Sequence, residues 1–466
     1  MTKSAYYIGI KGVGMCSLAL AMQDTGWTIS GSDTNESFIT DDILNKRGIK
    51  IQSFSDPIPD VDEIIYSGAY VATASITPGV KGSHTPGVSD PLSLAEALAE
   101  FVSDKKVISV AGVGGKTTTS AMLAALFHAA GRDVGYYVGT GSIAGLSAPG
   151  HAGDDSYFVV ESDEYAISKT DSRPKFALLT PQILITTNII HDHPDIYPDA
   201  SATRQAFADL VASIPVGGTW ICNPSDPLTA QILDLQGQAL QDIKVIPYGS
   251  NHSLYAQLQL SVFGDQNKLD ALAAVLAAIE AGLSESQALA AIKAYHGAGR
   301  RQESHGEVAG RLLYDDYGHH PREIELTVQS FKAHFPDSRI LLVFESHTYS
   351  RTEALLDEFA KSIALSDLPF IMPIFESARE KGVAHQITPE SFAAEVAKHN
   401  SAAMALTWDN AADIVWAASK PGDLILTMGA GFVYKLHEKW VKIGDATRSD
   451  LEGSAQPDHN QSGGKV

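Results

Sequence analysis

The chain has 466 residues, 44% of them hydrophobic and 19% charged, with 55 acidic against 34 basic side chains and a formal net charge of −21. That length exceeds what one hydrophobic core serves, and the acidic balance excludes a nonspecific nucleic-acid binder while leaving room for a small anion held by local cations. No stretch approaches about 18 uninterrupted apolar residues, the first residues lack the features of a secretion signal, and Cys16 and Cys222 cannot frame a disulfide scaffold, so a cytoplasmic protein with no membrane span is expected.

Ala5–Ile10 reads as a strand, followed by the turn Lys11-Gly-Val-Gly-Met15 and a helical pattern to about Asp24. Trp27–Asp33 then reads as a second strand ending in an acid, a Rossmann-like start suited to a nucleotide or sugar nucleotide. Its glycines, Gly9, Gly12 and Gly14, miss the dinucleotide spacing. Pro78–Ser89 is expected to be a loop, and Ser93–Val102 a helix. The apolar run Lys106–Val110 leads into Ala111-Gly-Val-Gly-Gly-Lys-Thr-Thr-Thr119 and the helical pattern Ser120–Ala130. A strand, a Gly-rich turn and a helix opening on Lys-Thr form a phosphate cradle. Loop N–H groups face the anion, Lys116 pairs with outer phosphates, and Thr117 suits Mg2+.

Further strands are expected at Ser156–Glu161, Ile183–Ile189, Thr219–Cys222 and Lys244–Tyr248, with helices at Ala202–Ala212, Pro227–Leu235 and Leu269–Gly282. After about Gly299 the alternation resumes: strand Arg311–Asp315, helix Arg322–His334, strand Arg339–Phe344, helix Thr352–Ala364, strands Pro369–Pro373 and Asp423–Met428, and helix Gly431–Val441. Three α/β blocks with parallel sheets follow from this order. The expected domains are 1–104, Rossmann-like; 105–298, of the P-loop ATPase type; and 299–442, again Rossmann-like, before a polar, disordered tail 443–466.

Several clusters fall where strands end, which is where ligands bind in such sheets. Glu161-Ser-Asp-Glu164 offers oxygens suited to Mg2+. Asn188, His191, Asp192, His193 and Asp195 follow the next strand, and without further His or Cys partners they suit hydrogen bonding beside Mg2+ better than zinc. Arg300 and Arg301 suit the charge of a transferring phosphoryl group. Asp315-Asp-Tyr-Gly-His-His320 suits substrate orientation or proton handling, and Arg351 suits a carboxylate or phosphate.

These strings together resemble the Mur ligases, three-domain ATP-dependent amino-acid ligases of peptidoglycan assembly, as far as about residue 442. The matching strings are Gly9-Ile-Lys-Gly-Val-Gly-Met15, Ser30-Gly-Ser-Asp33, Gly115-Lys-Thr-Thr-Thr119, Glu161-Ser-Asp-Glu164, Asn188-Ile with Asp192-His193, and Arg300-Arg301. Asp315-Asp-Tyr-Gly-His-His-Pro321, Tyr349-Ser-Arg351-Thr, Ala378-Arg-Glu380 and Met428-Gly-Ala-Gly431 continue them. The resemblance implies ATP and Mg2+ as cofactors: Gly112, Gly114, Gly115, Lys116, Thr117 and Thr118 around the phosphates, and Thr117, Glu161 and His193 on the metal. It sets Asn267 near adenine, Arg301 and Asp316 toward ATP, and His319 and Arg351 near the incoming amino acid and the muramyl carboxylate. Gly12, Gly14 and Asp33 fall in the UDP-binding first domain.

Within the family the strings lie nearest the alanine-adding branch, which implies UDP-N-acetylmuramate and L-alanine as substrates of a cytoplasmic monomer or homodimer, with no nucleic-acid or membrane partner. The chain departs from that branch at Val113-Gly114, where Thr-His is usual, at Ser346-His-Thr348, which lacks an arginine, and at Gln302 and Asp270. The longer segment from Glu164 to Phe176 resembles the tripeptide-recycling branch, which stands as the alternative. A non-catalytic nucleotide-binding relative is the third reading.

Overall fold

Short apolar runs buried on both faces make parallel strands, and the helices between them cover the sheet. The computed structural model describes residues 2–70, 90–168, 170–193, 196–235, 237, 240–376, 380 and 385–444. The expected loop Pro78–Ser89, Asp195, Ala378 with Arg379, and residues 445–466 lie outside them. The chain divides into two compact units, Met1–Gly299 and Arg300–Val466.

The first unit holds two sheets. Strands β1 (Ser4–Ile8), β2 (Thr28–Asp33), β3 (Lys50–Ser53), β4 (Glu63–Tyr66) and β5 (Leu92–Ser93) form a parallel sheet in the order β3-β2-β1-β4-β5. The second sheet has β6 (Lys106–Ala111), β7 (Gly135–Tyr137), β8 (Gly150–His151), β9 (Tyr157–Glu161), β10 (Pro181–Thr186), β11 (Thr219–Cys222) and β12 (Lys244–Pro247). Its order is β12-β11-β10-β6-β9-β7-β8, parallel apart from the antiparallel β7–β8 pair. Helix Val13–Asp24 lies on β7 and β8, where Ser17 Oγ donates to Val138 O at 2.6 Å. Leu18, Met22, Tyr137 and Phe158 share one core there.

Helices Lys116–Ala129 and Asp265–Glu280 pack together over the second sheet, burying Leu123, Phe127, Leu272 and Val275. Each such side chain contributes about 1.5–3 kcal/mol.

The second unit is one sheet of β13 (Glu303–Val308), β14 (Arg311–Asp316), β15 (Ile340–Phe344), β16 (Leu368–Ile371), β17 (Met404–Ala405) and β18 (Leu424–Met428). The order is β13-β14-β18-β15-β16-β17, with β13 antiparallel to β14 and the rest parallel.

Several boundaries correct the sequence reading. The phosphate-loop helix opens on Lys116, as the Lys-Thr reading has it, a turn ahead of the helical pattern from Ser120, because Gly115 (φ 85°) turns the chain straight into its first turn. The expected strand Ile183–Ile189 ends at Thr186, since Thr187 and Asn188 leave the sheet to bond the phosphate loop. The expected helix Thr352–Ala364 is two helices, Tyr349–Ala354 and Leu356–Ile363, broken at Leu355 (φ −116°, ψ 26°). The last helix starts as a 3-10 turn, Val433–Lys435, and runs over 436–444, past the expected tail boundary. Among the described residues no helix is long and apolar enough to cross a membrane.

Candidate functional site

In the first unit, β6 delivers the chain into a loop that only glycines can make. Gly112 has φ 132°, and a Cβ there would lie 2.2 Å from Thr187 Oγ1. Gly115 has φ 85°, and a Cβ there would lie 2.7 Å from Asp270 Oδ1. Gly114 between them is gripped from the end of β10. Its N–H donates to Asn188 Oδ1 at 3.0 Å, and its carbonyl accepts from Thr187 Oγ1 at 2.6 Å and Asn188 Nδ2 at 2.8 Å.

Lys116 and Thr117 open the helix beside that loop. Lys116 Nζ donates to Gly112 O at 2.5 Å and Val113 O at 3.2 Å, and pairs with Glu164 Oε2 at 2.8 Å. Burial alone would lower the pKa of Lys116, but Glu164, Asp163 and Glu161 outweigh it and hold the ammonium charged. Thr117 Oγ1 donates to Glu161 Oε1 at 2.7 Å, and Gly139 N–H holds the other Glu161 oxygen at 2.6 Å. Thr118 is buried in the same turn.

Glu164 also reaches His193, with Oε1 3.2 Å from Nε2. His193 has φ 56°, a left-handed conformation rare for a side-chain-bearing residue and frequent at functional sites. Its N–H donates to Asp192 Oδ1 at 2.7 Å, and its ring meets Tyr165 edge-on. The corner is thus a charged lysine, a hydroxyl, two carboxylates and an imidazole. Of the expected metal ligands, the structure pairs Thr117 with Glu161 and sets His193 on Glu164. The hydroxyl and carboxylate oxygens are hard donors suited to Mg2+, and a bound phosphate supplies further oxygens. Glu164, whose acidic string reads as suited to Mg2+, instead joins Lys116 to His193.

Asn267, in the first turn of helix Asp265–Glu280, donates from Nδ2 to Phe263 O at 2.7 Å. One turn on, Asp270 is fully buried under Gly115; burial pushes its carboxyl up to about 8, against a bond from Gln266 Nε2 at 3.2 Å. At the first sheet, Gly12 precedes helix Val13–Asp24. A Cβ at Gly14 would sit 2.4 Å from Tyr137 Oη, which gives that glycine a packing reason. Asp33 accepts from Lys11 N at 2.7 Å and Thr34 N at 2.8 Å, closing the turn after β1.

In the second unit the two arginines divide. Arg300 is buried: Nε meets Asp315 Oδ2 at 2.7 Å, while Nη1 and Nη2 donate to Gly431 O (3.0 Å) and Gly429 O (2.6 Å). That corrects the reading of both arginines as phosphate ligands, because the fold itself uses the Arg300 guanidinium. Arg301 lies over the Tyr317 ring at 4.6 Å and beside Asp316. Asp316 accepts from Gln302 N (2.9 Å) and Gly318 N (2.8 Å), and burial pushes it up to about 6 despite Arg301 and those bonds. Ligand atoms of Glu303, His305 and Asp315 approach within 4.8 Å of one another. Arg300 already engages two members of that group: its guanidinium neutralises Asp315, and its backbone N–H donates to Glu303 Oε2 at 2.7 Å.

His319 follows, its N–H held by Glu323 at 3.0 Å and its ring 5.8 Å from that of His347. His347 stacks on Phe375. Thr348 (φ 71°) turns the chain into helix Tyr349–Ala354, which carries the buried Arg351. Glu380 caps that helix, accepting from Tyr349 N at 2.9 Å and Ser350 N at 3.0 Å.

Residues 4–106 match the Mur ligase family, catalytic domain; residues 110–280 match the Mur ligase middle domain; residues 300–431 match the Mur ligase, glutamate ligase domain. The chain is 33% identical over 456 residues to a UDP-N-acetylmuramate–L-alanine ligase of Desulfitobacterium hafniense, covering 94% of this chain and 99% of that one. Its fold is similar to a UDP-N-acetylmuramate–alanine ligase from Thermotoga maritima (TM-score 0.75, 21% identity, 95% and 99% of the two chains). It is also similar to a murein peptide ligase from Psychrobacter arcticus (TM-score 0.69, 23% identity, 94% and 98% of the two chains).

Proposed function

The chain belongs to the Mur ligase family, and from that we propose that it joins L-alanine to the carboxylate of UDP-N-acetylmuramate, with ATP cleaved to ADP and phosphate. The observation that carries this reading is the match to an alanine ligase along nearly the whole of both chains. The geometry supports the phosphoryl-transfer half. Three domains divide the work: 1–104 for the UDP sugar, 105–298 for ATP and 299–442 for completing the ligation.

The substrate carboxylate attacks the γ-phosphorus of ATP and becomes an acyl phosphate. The amine of L-alanine then attacks its carbonyl, and phosphate leaves. Lys116 exchanges the Gly112 and Val113 carbonyls for phosphate oxygens, bringing a charged ammonium to the transferring group. Thr117, Glu161 and His193 would hold Mg2+, which when bound neutralises phosphate charge. Arg301 and Asp316 serve the nucleotide, Asn267 the adenine, and His319 and Arg351 the acceptor and the muramyl carboxylate. Gly12, Gly14 and Asp33 serve the UDP sugar. Positioning and charge, more than covalent chemistry, carry such a reaction.

With ATP, Mg2+ and UDP-N-acetylmuramate, phosphate release should depend on L-alanine and yield the alanyl product by mass. Release that ignores L-alanine and responds to L-Ala-γ-D-Glu-meso-diaminopimelate would replace this reading with tripeptide ligation. ATP binding without ADP formation for either acceptor would make the chain a non-catalytic relative.

A further inference from the structure

Two buried charges in the second unit are assigned no substrate by the ligase reading, yet each opens a segment leading to a residue that reading uses, Arg301 and Arg351. Arg300 precedes Arg301, and Glu345, just after β15, precedes Ser346 and His347. Both converge on the turn at residues 429–431. Arg300 takes its carbonyls, at Gly429 and Gly431. Glu345 takes the N–H groups beyond it: Oε2 accepts from Val433 N at 2.7 Å, and Phe432 N also bonds the carboxylate. The Glu345 N–H donates to Met428 O at 2.9 Å, ahead of the same turn.

The fit leaves no room for side chains. A Cβ at Gly429 would lie 2.1 Å from Glu345 O, and one at Gly431 would lie 2.4 Å from Glu345 Cδ. The turn also reaches the nucleotide-facing corner, because Gly429 N donates to Asp316 O at 3.2 Å. Buried backbone groups need partners, and a guanidinium fork with a carboxylate supplies acceptors and donors of both senses at once.

We propose that Arg300 and Glu345 are paired positioning residues, clamping the turn 429–431 so that the Arg301–Asp316 corner and the loop from His347 to Arg351 keep one arrangement. The clamp is a matter of geometry; its effect on turnover rests on the ligase reading. The charged groups facing Glu345 are Arg300 and Asp315; burial raises Glu345 to about 7, with the Val433 and Phe432 N–H groups and Arg300 opposing. Protonation therefore weakens the acceptor on the acidic side of neutrality.

The full-length chain tests this with Glu345→Gln, Glu345→Met and wild type. Amide exchange at residues 432 and 433 should speed at least about tenfold in Glu345→Met and less in Glu345→Gln, whatever the protein catalyses. In the ligase assay, Glu345→Met should lower kcat by about 10–100-fold with the ATP dissociation constant unchanged, and Glu345→Gln should recover part of it and flatten the acidic limb of the kcat profile. Exchange unchanged in Glu345→Met overturns the clamp. So does full kcat in Glu345→Met, since apolar filling would then serve as well. A wild type without acceptor-dependent phosphate release defeats the ligase reading instead, and the exchange result still decides the clamp.

Discussion

The two units treat charge in opposite ways. In the first, glycine geometry and bonds from Thr187 and Asn188 hold the loop, so Lys116, Glu161 and Glu164 lean on one another and on loop carbonyls that a phosphate can replace. In the second, the motif's charges are built into the fold. Arg300 and Asp315 pair in the interior, and Glu345 holds the start of a helix. A charge whose partners are backbone groups that nothing else can satisfy is structural, whatever motif it sits in. A charge parked on replaceable partners is a ligand group.

The sharpest break of this contrast is Lys116→Met. It should cut ATP turnover by at least about 10^3-fold while the chain still folds; retained turnover would remove the loop from the site. The arginine pair should then separate stability from activity. Arg300→Met leaves Asp315 buried without its cation and should cost about 3–5 kcal/mol in the unfolding of the second unit. Arg301→Met should leave unfolding within about 0.5 kcal/mol yet lower turnover about 100-fold. Equal stability losses in the two variants, measured by denaturant titration, would erase the distinction.

Those arginines also show where sequence stops being legible. The Gly-rich loop, its strand and most of the strand–helix alternation were readable, because burial on both faces writes apolar runs and a phosphate turn demands glycine. Arg300 and Arg301 are adjacent and alike in sequence, and only their partners in the fold, Asp315 and the distant turn 429–431, tell them apart. Strand β13 (Glu303–Val308) escaped because it is an edge strand with mostly exposed polar side chains and no apolar alternation. Glu164 was visible as an acid, but its role as the link between Lys116 and His193 is a tertiary fact.

A smaller effect follows from Asp270, the first unit's exception, a buried acid with no cation among the causes of its shift. Its carboxyl titrates near 8 in the fold against 3.8 ordinarily. Between those values the unfolded chain has lost a proton that the folded chain keeps, so stability falls as pH rises through that window. Asp270→Asn should remove that slope and stabilise the protein at pH about 8 by roughly 1–3 kcal/mol. A melting temperature with the same pH dependence in both proteins would mean that Asp270 is ionised and paired.

The smallest effect tests whether exposed charge matters at all beside these interior groups. His151 bridges Asp24 at 2.8 Å and Asp133 at 2.7 Å, linking the end of helix Val13–Asp24 to the second sheet. The bond to Asp24 does most to raise its pKa to about 9, burial opposes it, and Asp133 adds to it. A histidine raised by its partners stabilises fully below its ordinary 6.5, and that contribution is lost as pH climbs through about 9. Solvent reaches the pair, with Asp133 56% exposed, so the contribution is at most about 1 kcal/mol. His151→Gln should therefore lower the melting temperature by at most about 1–2 °C at pH about 6 and leave it unchanged near pH 10, with the difference shrinking in high salt. A deficit that persists at high pH would make His151 a packing residue and not an ionic link between the helix and the second sheet.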